Sequence, residues 1–193
     1  MILWRNIIVI NVDNNLHIKG VVGMKLIKLT SNYKCEWESL ISEFEENEEK
    51  LTPIAMKGYA NTFEEFLIEA NNNSKGINLQ NGIVPSDIYF LVDENSKYLI
   101  GTIDVRHYLN EYLSEYGGHI GYGIRPSERQ KRYVTKMMAL ALEKCKKMGS
   151  LKVLITCFKS NIASANTIIK NSGILENEVI EDGKIKQRYW VKL

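Results

Sequence analysis

The chain of 193 residues carries 25 Lys and Arg against 23 Asp and Glu, a formal charge of +2, and is 45% hydrophobic. That length suits one globular domain with a sizeable core, and so even a charge excludes a protein whose main partner is nucleic acid; any basic site must be local. The three cysteines, Cys35, Cys145 and Cys157, are odd in number and lack metal-ligand spacing. They support neither a disulfide framework nor a bound metal, and a reducing cytoplasm is the expected compartment.

Residues 1–23, MILWRNIIVINVDNNLHIKGVVG, precede a second methionine, Met24. Their apolar run is broken by Asn6, Asn11 and Asp13, so it is too short to span a bilayer, and no membrane partner is expected. The small-residue cleavage pattern of a signal peptide is unconvincing as well. Lys19-Gly20-Val21 can be encoded by a purine-rich stretch of the kind that seats a ribosome just upstream of a start codon. Upstream translation and an authentic extra strand are both open readings of this leader, with residues 24–193 expected to form a single domain.

From Met24 the pattern alternates. Lys25–Leu29 has the period of a strand, and Trp37, Leu40, Ile41 and Phe44 fall at helical spacing. Thr62 with Glu65 three residues on is a capping box, followed by the apolar stripe Phe63, Phe66, Leu67 and Ala70 of a short helix. The Asn- and Gly-rich stretch 71–82 reads as a loop. Ile88–Val92 and Tyr98–Val105 around Glu94-Asn95-Ser96 predict an antiparallel hairpin, which the strand His119–Ile124 extends. A helix from about Arg129 to Met148, a strand over Lys152–Phe158, a helix over Asn161–Asn171 and a closing hairpin at Asp182-Gly183 complete the order. The sequence predicts an α/β (α+β) domain: a mixed, mostly antiparallel sheet with flanking helices.

The stretch after the third strand, IRPSERQKRYVTK, packs five basic residues into twelve positions, from Arg125 to Lys136. A strand that turns through Arg125-Pro126-Ser127 into a helix directs unpaired N–H groups back toward the strand end, and helix-dipole positivity with Arg129, Lys131 and Arg132 would suit a phosphate. A solvated helix surface explains the same charges without a ligand.

Arg129-Gln130-Lys131-Arg132-Tyr133-Val134 occupies the place of a signature loop written as Gln or Arg, two residues, Gly, one residue, then Gly or Ala. GYGIRPSER before it, and VLITC followed by NIASANTIIKNSG after it, match two further motifs in order and spacing. Over about Ser86–Gly173 the chain therefore resembles the GNAT superfamily of N-acetyltransferases. Asn161-Ile162-Ala163-Ser164 looks most like bacterial members that acetylate small amines or protein termini. The resemblance implies a sheet with splayed central strands that admit the pantetheine arm of acetyl-CoA. It also implies a CoA site formed by Ile124, Arg129, Gln130, Lys131, Arg132, Tyr133, Val134, Asn161 and Ser164. The partner it implies is a small-molecule or peptide amine, with a homodimer left open.

The departures from the family pattern are specific. Arg132 stands where glycine is usual, Val134 where glycine or alanine is, and Ser172 where glycine is; Ile168 stands where many members carry a tyrosine, and it cannot donate a proton. Arg132 could grip a phosphate or block its cradle. The chemistry needs a base to deprotonate the amine and N–H donors for the oxyanion. His119, on the strand where relatives often carry Glu, is the candidate base, ahead of His107, Glu115 and Tyr116; a structural hydrogen-bonding role is the other reading. Cys157 as an acyl carrier is rejected for want of a His partner. The acceptor side would be framed by 53–59, 108–116 and Tyr189-Trp190. Two functions are carried forward: an acetyl-CoA-dependent N-acetyltransferase, and a non-catalytic protein of the same fold that binds CoA or has lost the site.

Overall fold

The computed structural model describes residues 23–193. The leader discussed above lies, Gly23 aside, outside the described residues. The element order is β1 (Met24–Ile27), α1 (Lys34–Glu46), α2 (Phe63–Lys75), β2 (Ser86–Asp93), β3 (Leu99–Arg106), β4 (Ile120–Ile124), α3 (Tyr133–Lys147), β5 (Lys152–Phe158), α4 (Ile162–Lys170), β6 (Ile174–Glu181) and β7 (Lys184–Lys192).

The strands form two sheets, β1-β2-β3-β4 and β5-β7-β6, and every ladder is antiparallel. The expected splay is thus wide enough to divide one sheet into two. The strands β4 and β5 are neighbours that meet at one point, where His119 N–H donates to Leu154 O at 2.7 Å; beyond it no backbone hydrogen bond joins them among the described residues.

The strand β3 is buried along almost its whole length, because helices cover both faces of its sheet. On one face α1 and α2 bury Trp37, Leu40, Phe44, Phe63 and Phe66 against Phe90. The Trp37 ring stacks on Phe66 at 5.3 Å, Phe66 meets Phe90 edge-on at 5.9 Å, and the Trp37 indole N–H donates to Met56 O at 3.0 Å. On the other face Met137, Met138 and Ala141 of α3 pack on Ile103 and Val105 of β3, and the same core runs on to Val153 and Ile155 of β5 and Ile168 of α4.

Several boundaries differ from the sequence reading. The helix α2 runs to Lys75, into the stretch expected to be loop, and closes with Gly76 N–H on Asn73 O and Ile77 N–H on Asn72 O. Its Asn residues need not supply the buried face, since Phe63 and Phe66 already do. The helix α3 begins at Tyr133 rather than Arg129, because Gln130 and Arg132 have φ of 64° and 66°, outside the helical region. The first strand ends at Ile27. Thr62 caps α2 as expected, its Oγ1 accepting from Glu65 N–H, although the Glu65 carboxylate reaches back to Asn61 N–H rather than to Thr62. The closing hairpin turns at Asp182-Gly183 with positive φ at both residues.

The segment between α1 and α2 lies directly on β4. A Cβ placed at Gly123 would stand 1.8 Å from Thr52 O. Gly123→Ala is expected to force that segment off the strand, at a cost of about 1–3 kcal/mol of overpacking. Thermal denaturation checks this: the variant should melt several degrees below the parent, and an unchanged melting point would contradict this seating of Thr52.

Candidate active site

The strand β4 reads Ile-Gly-Tyr-Gly-Ile, and its ladder with β3 sets Gly121 opposite Asp104 and Gly123 opposite Thr102. Opposed residues share a face, so two residues without Cβ face two polar side chains. The third β4 side chain of interest, Tyr122, points to the other face. Its hydroxyl lies 2.5 Å from Ser164 Oγ on α4, and burial pushes the phenol up to about 12.

A cleft of about 710 Å³ opens where β4 and β5 part. Its walls come from β4, the loop before α3 with that helix's first turn, the end of β5, and the start of α4. All the residues expected to hold CoA line it except Lys131, whose ammonium pairs with Glu128 at 3.0 Å. No side chain caps α3, so its first N–H groups, at the cleft-lining residues Tyr133, Val134 and Thr135, stay available to an anionic ligand. Asn161 lines the cleft as well and caps α4, its Oδ1 accepting from Ser164 N–H at 3.0 Å.

The basic stretch is largely neutralised from within. Arg125 is buried against the Tyr98 ring at 4.3 Å, within 3.6 Å of the Glu43 carboxylate and 3.3 Å of Ser39 Oγ. Arg129 is bidentate to Glu49 at 2.7 and 2.5 Å, which raises its own pKa and lowers that of Glu49, and its Nε donates to Ile124 O at 3.3 Å. Glu43 also accepts from Ser127 N–H at 2.6 Å. The acidic run at the end of α1 therefore fastens this loop. Arg132 lines the cleft and has no ion-pair partner among the described residues.

His119 sits at the point where β4 and β5 diverge, and it lines neither the cleft nor the cavity beside it. Its Nδ1 accepts from Leu154 N–H at 2.9 Å while its own backbone N–H donates to Leu154 O. The ring lies 6.2 Å from Trp190, and burial holds its pKa below the ordinary value. A neutral imidazole that accepts at Nδ1 carries its proton on Nε2, which leaves no free lone pair to take another. His107 lies outside both cavities, with Nε2 3.4 Å from Asp87 Oδ2. Glu115 is exposed, and Tyr116 uses its carbonyl to accept from Thr156 Oγ1. Cys157 does line the cleft, but burial pushes its thiol pKa up and no histidine lines the cleft with it.

A second cavity of about 590 Å³ shares Thr52, Arg106 and Gly121 with the cleft, so the two adjoin across β4. Of the segments expected to frame the acceptor side, Pro53, Ile54, Ala55, Gly58, Tyr59 and Tyr112 line this cavity, whereas Tyr189 and Trp190 do not. Sequence reasoning missed Tyr122, Asp104 and Arg106. Tyr122 is hidden because tyrosine is an ordinary strand residue. Thr102, Asp104 and Arg106 did carry a signal: they are polar at period 2 within the apolar strand LIGTIDVR.

A family model for a GNAT acetyltransferase domain matches residues 38–173. No curated protein matches the sequence. Among solved structures, the microcin C7 self-immunity acetyltransferase MccE, in complex with acetyl-CoA and AMP, is similar at TM-score 0.63 and 16% identity, over 89% of this chain and 93% of that one. The ribosomal L7/L12 α-N-protein acetyltransferase RimL, in complex with CoA, is similar at 0.62 and 14%, over 89% and 95%. A ribosomal-protein-S5-alanine acetyltransferase of Vibrio fischeri follows at 0.60 and 14%, over 88% and 91%. At these identities the likeness establishes the fold.

Two predictions follow from the loop and the pin. A left-handed φ at a non-glycine residue costs roughly 1–2 kcal/mol, so Arg132→Gly, with φ of 66° in the parent, is expected to raise the melting temperature without weakening CoA binding. Calorimetry that instead shows weaker CoA binding would assign the Arg132 side chain to the ligand. His119 resists protonation in the folded chain, whereas an unfolded imidazole takes up a proton below about pH 6.5. Stability present at neutral pH should therefore decline as pH falls from about 6.5 toward the lowered folded value. Melting curves at about pH 7.5 and about pH 5.5 should show a larger drop for the parent than for His119→Gln, which does not titrate there.

Proposed function

The chain belongs to the GNAT acetyltransferase family, and on that footing we propose that it moves an acetyl group from acetyl-CoA to a primary amine of a small molecule or peptide within a ternary complex. The observation that carries this reading is the pair of adjoining cavities. The cleft ends in uncapped helical N–H groups suited to a pyrophosphate, and beyond Gly121 lies a separate space for an acceptor. Neighbours of the same fold hold acetyl-CoA or CoA. Three free cysteines, Cys35, Cys145 and Cys157, suit a reducing cytoplasm, where acetyl-CoA is made available.

In this reading the pantetheine arm enters between β4 and β5, and its amides face Asn161 and the free edge of β4. The acceptor nitrogen attacks the thioester carbonyl carbon. A carbon–nitrogen bond forms, the carbon–sulfur bond breaks, and the thiolate leaves with the electron pair and takes up, through water, the proton that the amine gives up, so that the products are the amide and the CoA thiol. Backbone N–H groups on the β4 edge that faces the gap are placed to stabilise the oxyanion. The Tyr122 hydroxyl, raised to about 12, stays protonated across the physiological range. It therefore serves the leaving thiolate as a hydrogen-bond donor, steadied by Ser164, and fills the place left by Ile168. His119 acts as the structural pin of the splay rather than as the base.

The reading is tested by titrating the protein with acetyl-CoA and then following thiol release over an amine panel. Acetyl-CoA should bind, and at least one amine should accelerate thiol release. Tyr122→Phe should lower kcat by about 10-fold or more while leaving acetyl-CoA affinity within about two-fold, as loss of a transition-state hydrogen bond predicts. Binding of CoA with no acetyl transfer to any amine would favour the non-catalytic alternative, and no binding at all would remove both.

A further inference from the structure

The second cavity is lined by two carboxylates, Glu69 and Asp104, and by one cation, Arg106. The hydrogen bonds of these three groups decide what charge is left to a ligand. Glu69 directs both oxygens to Tyr59 N–H, at 3.1 and 3.3 Å. Arg106 donates to Gly118 O at 2.9 Å and Gly117 O at 3.3 Å, and its remaining terminal nitrogen lies 3.3 Å from Asp104 Oδ2. The Tyr112 hydroxyl is given to Glu181 at 2.7 Å. Asp104 is 3% exposed, and its Oδ1 has no hydrogen-bond partner. Such an oxygen is costly to leave unpaired. Across the ladder stands Gly121, which lines both cavities; in place of a Cβ, the space above it is bordered by Pro53 and the Arg106 guanidinium, 3.3 and 3.4 Å from where a Cβ would stand.

The geometry points to Asp104 as the acceptor-binding residue: its carboxylate receives the primary ammonium of an acceptor that carries no carboxylate beside its amine. This rests on the acetyl-transfer reading above and names the substrate class for it. An ammonium finds an unpartnered oxygen in a cavity whose carboxylates outnumber its cations. An acceptor carboxylate finds only Arg106, whose charge Asp104 already offsets, and two carboxylates that repel it. The rest of the lining is uncharged: Ile54, Val84 and Leu113 are among its apolar side chains, and Asn73, Asn78 and Gln80 add neutral amides. The acceptor class is therefore a peptide N-terminus or a simple amine, and not a free α-amino acid. Burial also pushes the Asp104 pKa up, against the pull of Arg106 and of the nearby Ser86 hydroxyl, which favours a group able to accept a proton from the bound ammonium.

The test uses the full chain, with acetyl-CoA and pairs of probes that differ only at the carboxyl: free serine, alanine and methionine against their amides and the corresponding tripeptide amides. The parent should acetylate amides at least 10-fold more efficiently than the free amino acids. Asp104→Asn should raise the acceptor KM about 10-fold or more and leave acetyl-CoA affinity, by calorimetry, within two-fold. Should Asp104→Asn fail to fold, a pair at the rim replaces it, because Ile54 is 73% exposed. Ile54→Lys should show a higher KM for an amide acceptor than Ile54→Glu. A parent that binds acetyl-CoA but prefers free amino acids, or acetylates none of the amides, overturns the assignment and leaves the transfer reading standing. Equal KM values in Asp104→Asn and parent, or in the two Ile54 variants, overturn it also. A parent that binds no acetyl-CoA removes both.

Discussion

The site depends on one rung. Between β4 and β5 the ladder is reduced to a reciprocal pair, His119 N–H to Leu154 O and Leu154 N–H to His119 Nδ1, in which the imidazole takes the place of a carbonyl. A backbone acceptor there would invite the next rung and the strands would zip together. A side-chain acceptor satisfies the same N–H and propagates nothing. Gly118 just before it has a φ of 68°, and any Cβ would stand 2.7 Å from Leu154 O, so the chain can turn out of β5's path only without a side chain. The cleft is the space that this single fixed point leaves on one side.

The charges of the loop before α3 belong to the same economy. The loop is held by its backbone at Arg125 N–H to Ile100 O and Glu128 N–H to Arg125 O, and by side chains beside these. Glu43 and Glu49, at and beyond the last turn of α1, fasten Arg125, Ser127 and Arg129 from outside, and the Tyr98 ring covers the buried guanidinium. Arg129 and Glu49 are both partly exposed, so solvent weakens their pairing and the bidentate geometry serves position more than stability. Arg125 is different. It is buried, and removing either carboxylate or ring would leave a charge with little else to meet it.

The element order, the antiparallel hairpins, the divergence of β4 and β5 and the cleft-facing stretch were legible in the sequence because each rests on local periodicity or on a motif. Trp37, Leu40, Ile41 and Phe44 are buried on α1 as their spacing requires. What was not legible depends on pairing across the chain. No local pattern shows that Glu49 meets Arg129, so the sequence displays the charges of the basic run without the carboxylates that meet them. His119 looks like a base from its residue type alone, and only the register that brings Leu154 N–H to Nδ1 shows its lone pair to be in use. Asp104 and Arg106 read as strand residues until the second cavity gives them a common wall.

Some of the places where local rules are broken border the two cavities. Gln130 and Arg132, both with left-handed φ, line the cleft. Asp104, buried with an unpartnered oxygen, lines the cavity beside it, and Thr102, unpartnered in the same way, is its next neighbour on that face of β3. The aromatic cluster under α1 and α2 shows the opposite: rings stack, and the one buried indole N–H has its acceptor. Strain and unpaired polarity persist only where surrounding packing overdetermines them. Here that packing is the two-sided burial of β3, which holds a sparse polar stripe in a sheet that would otherwise close over it. The burial of β3 therefore holds the cavity floor away from its locally preferred state, while Glu43 and Glu49 hold the loop before α3.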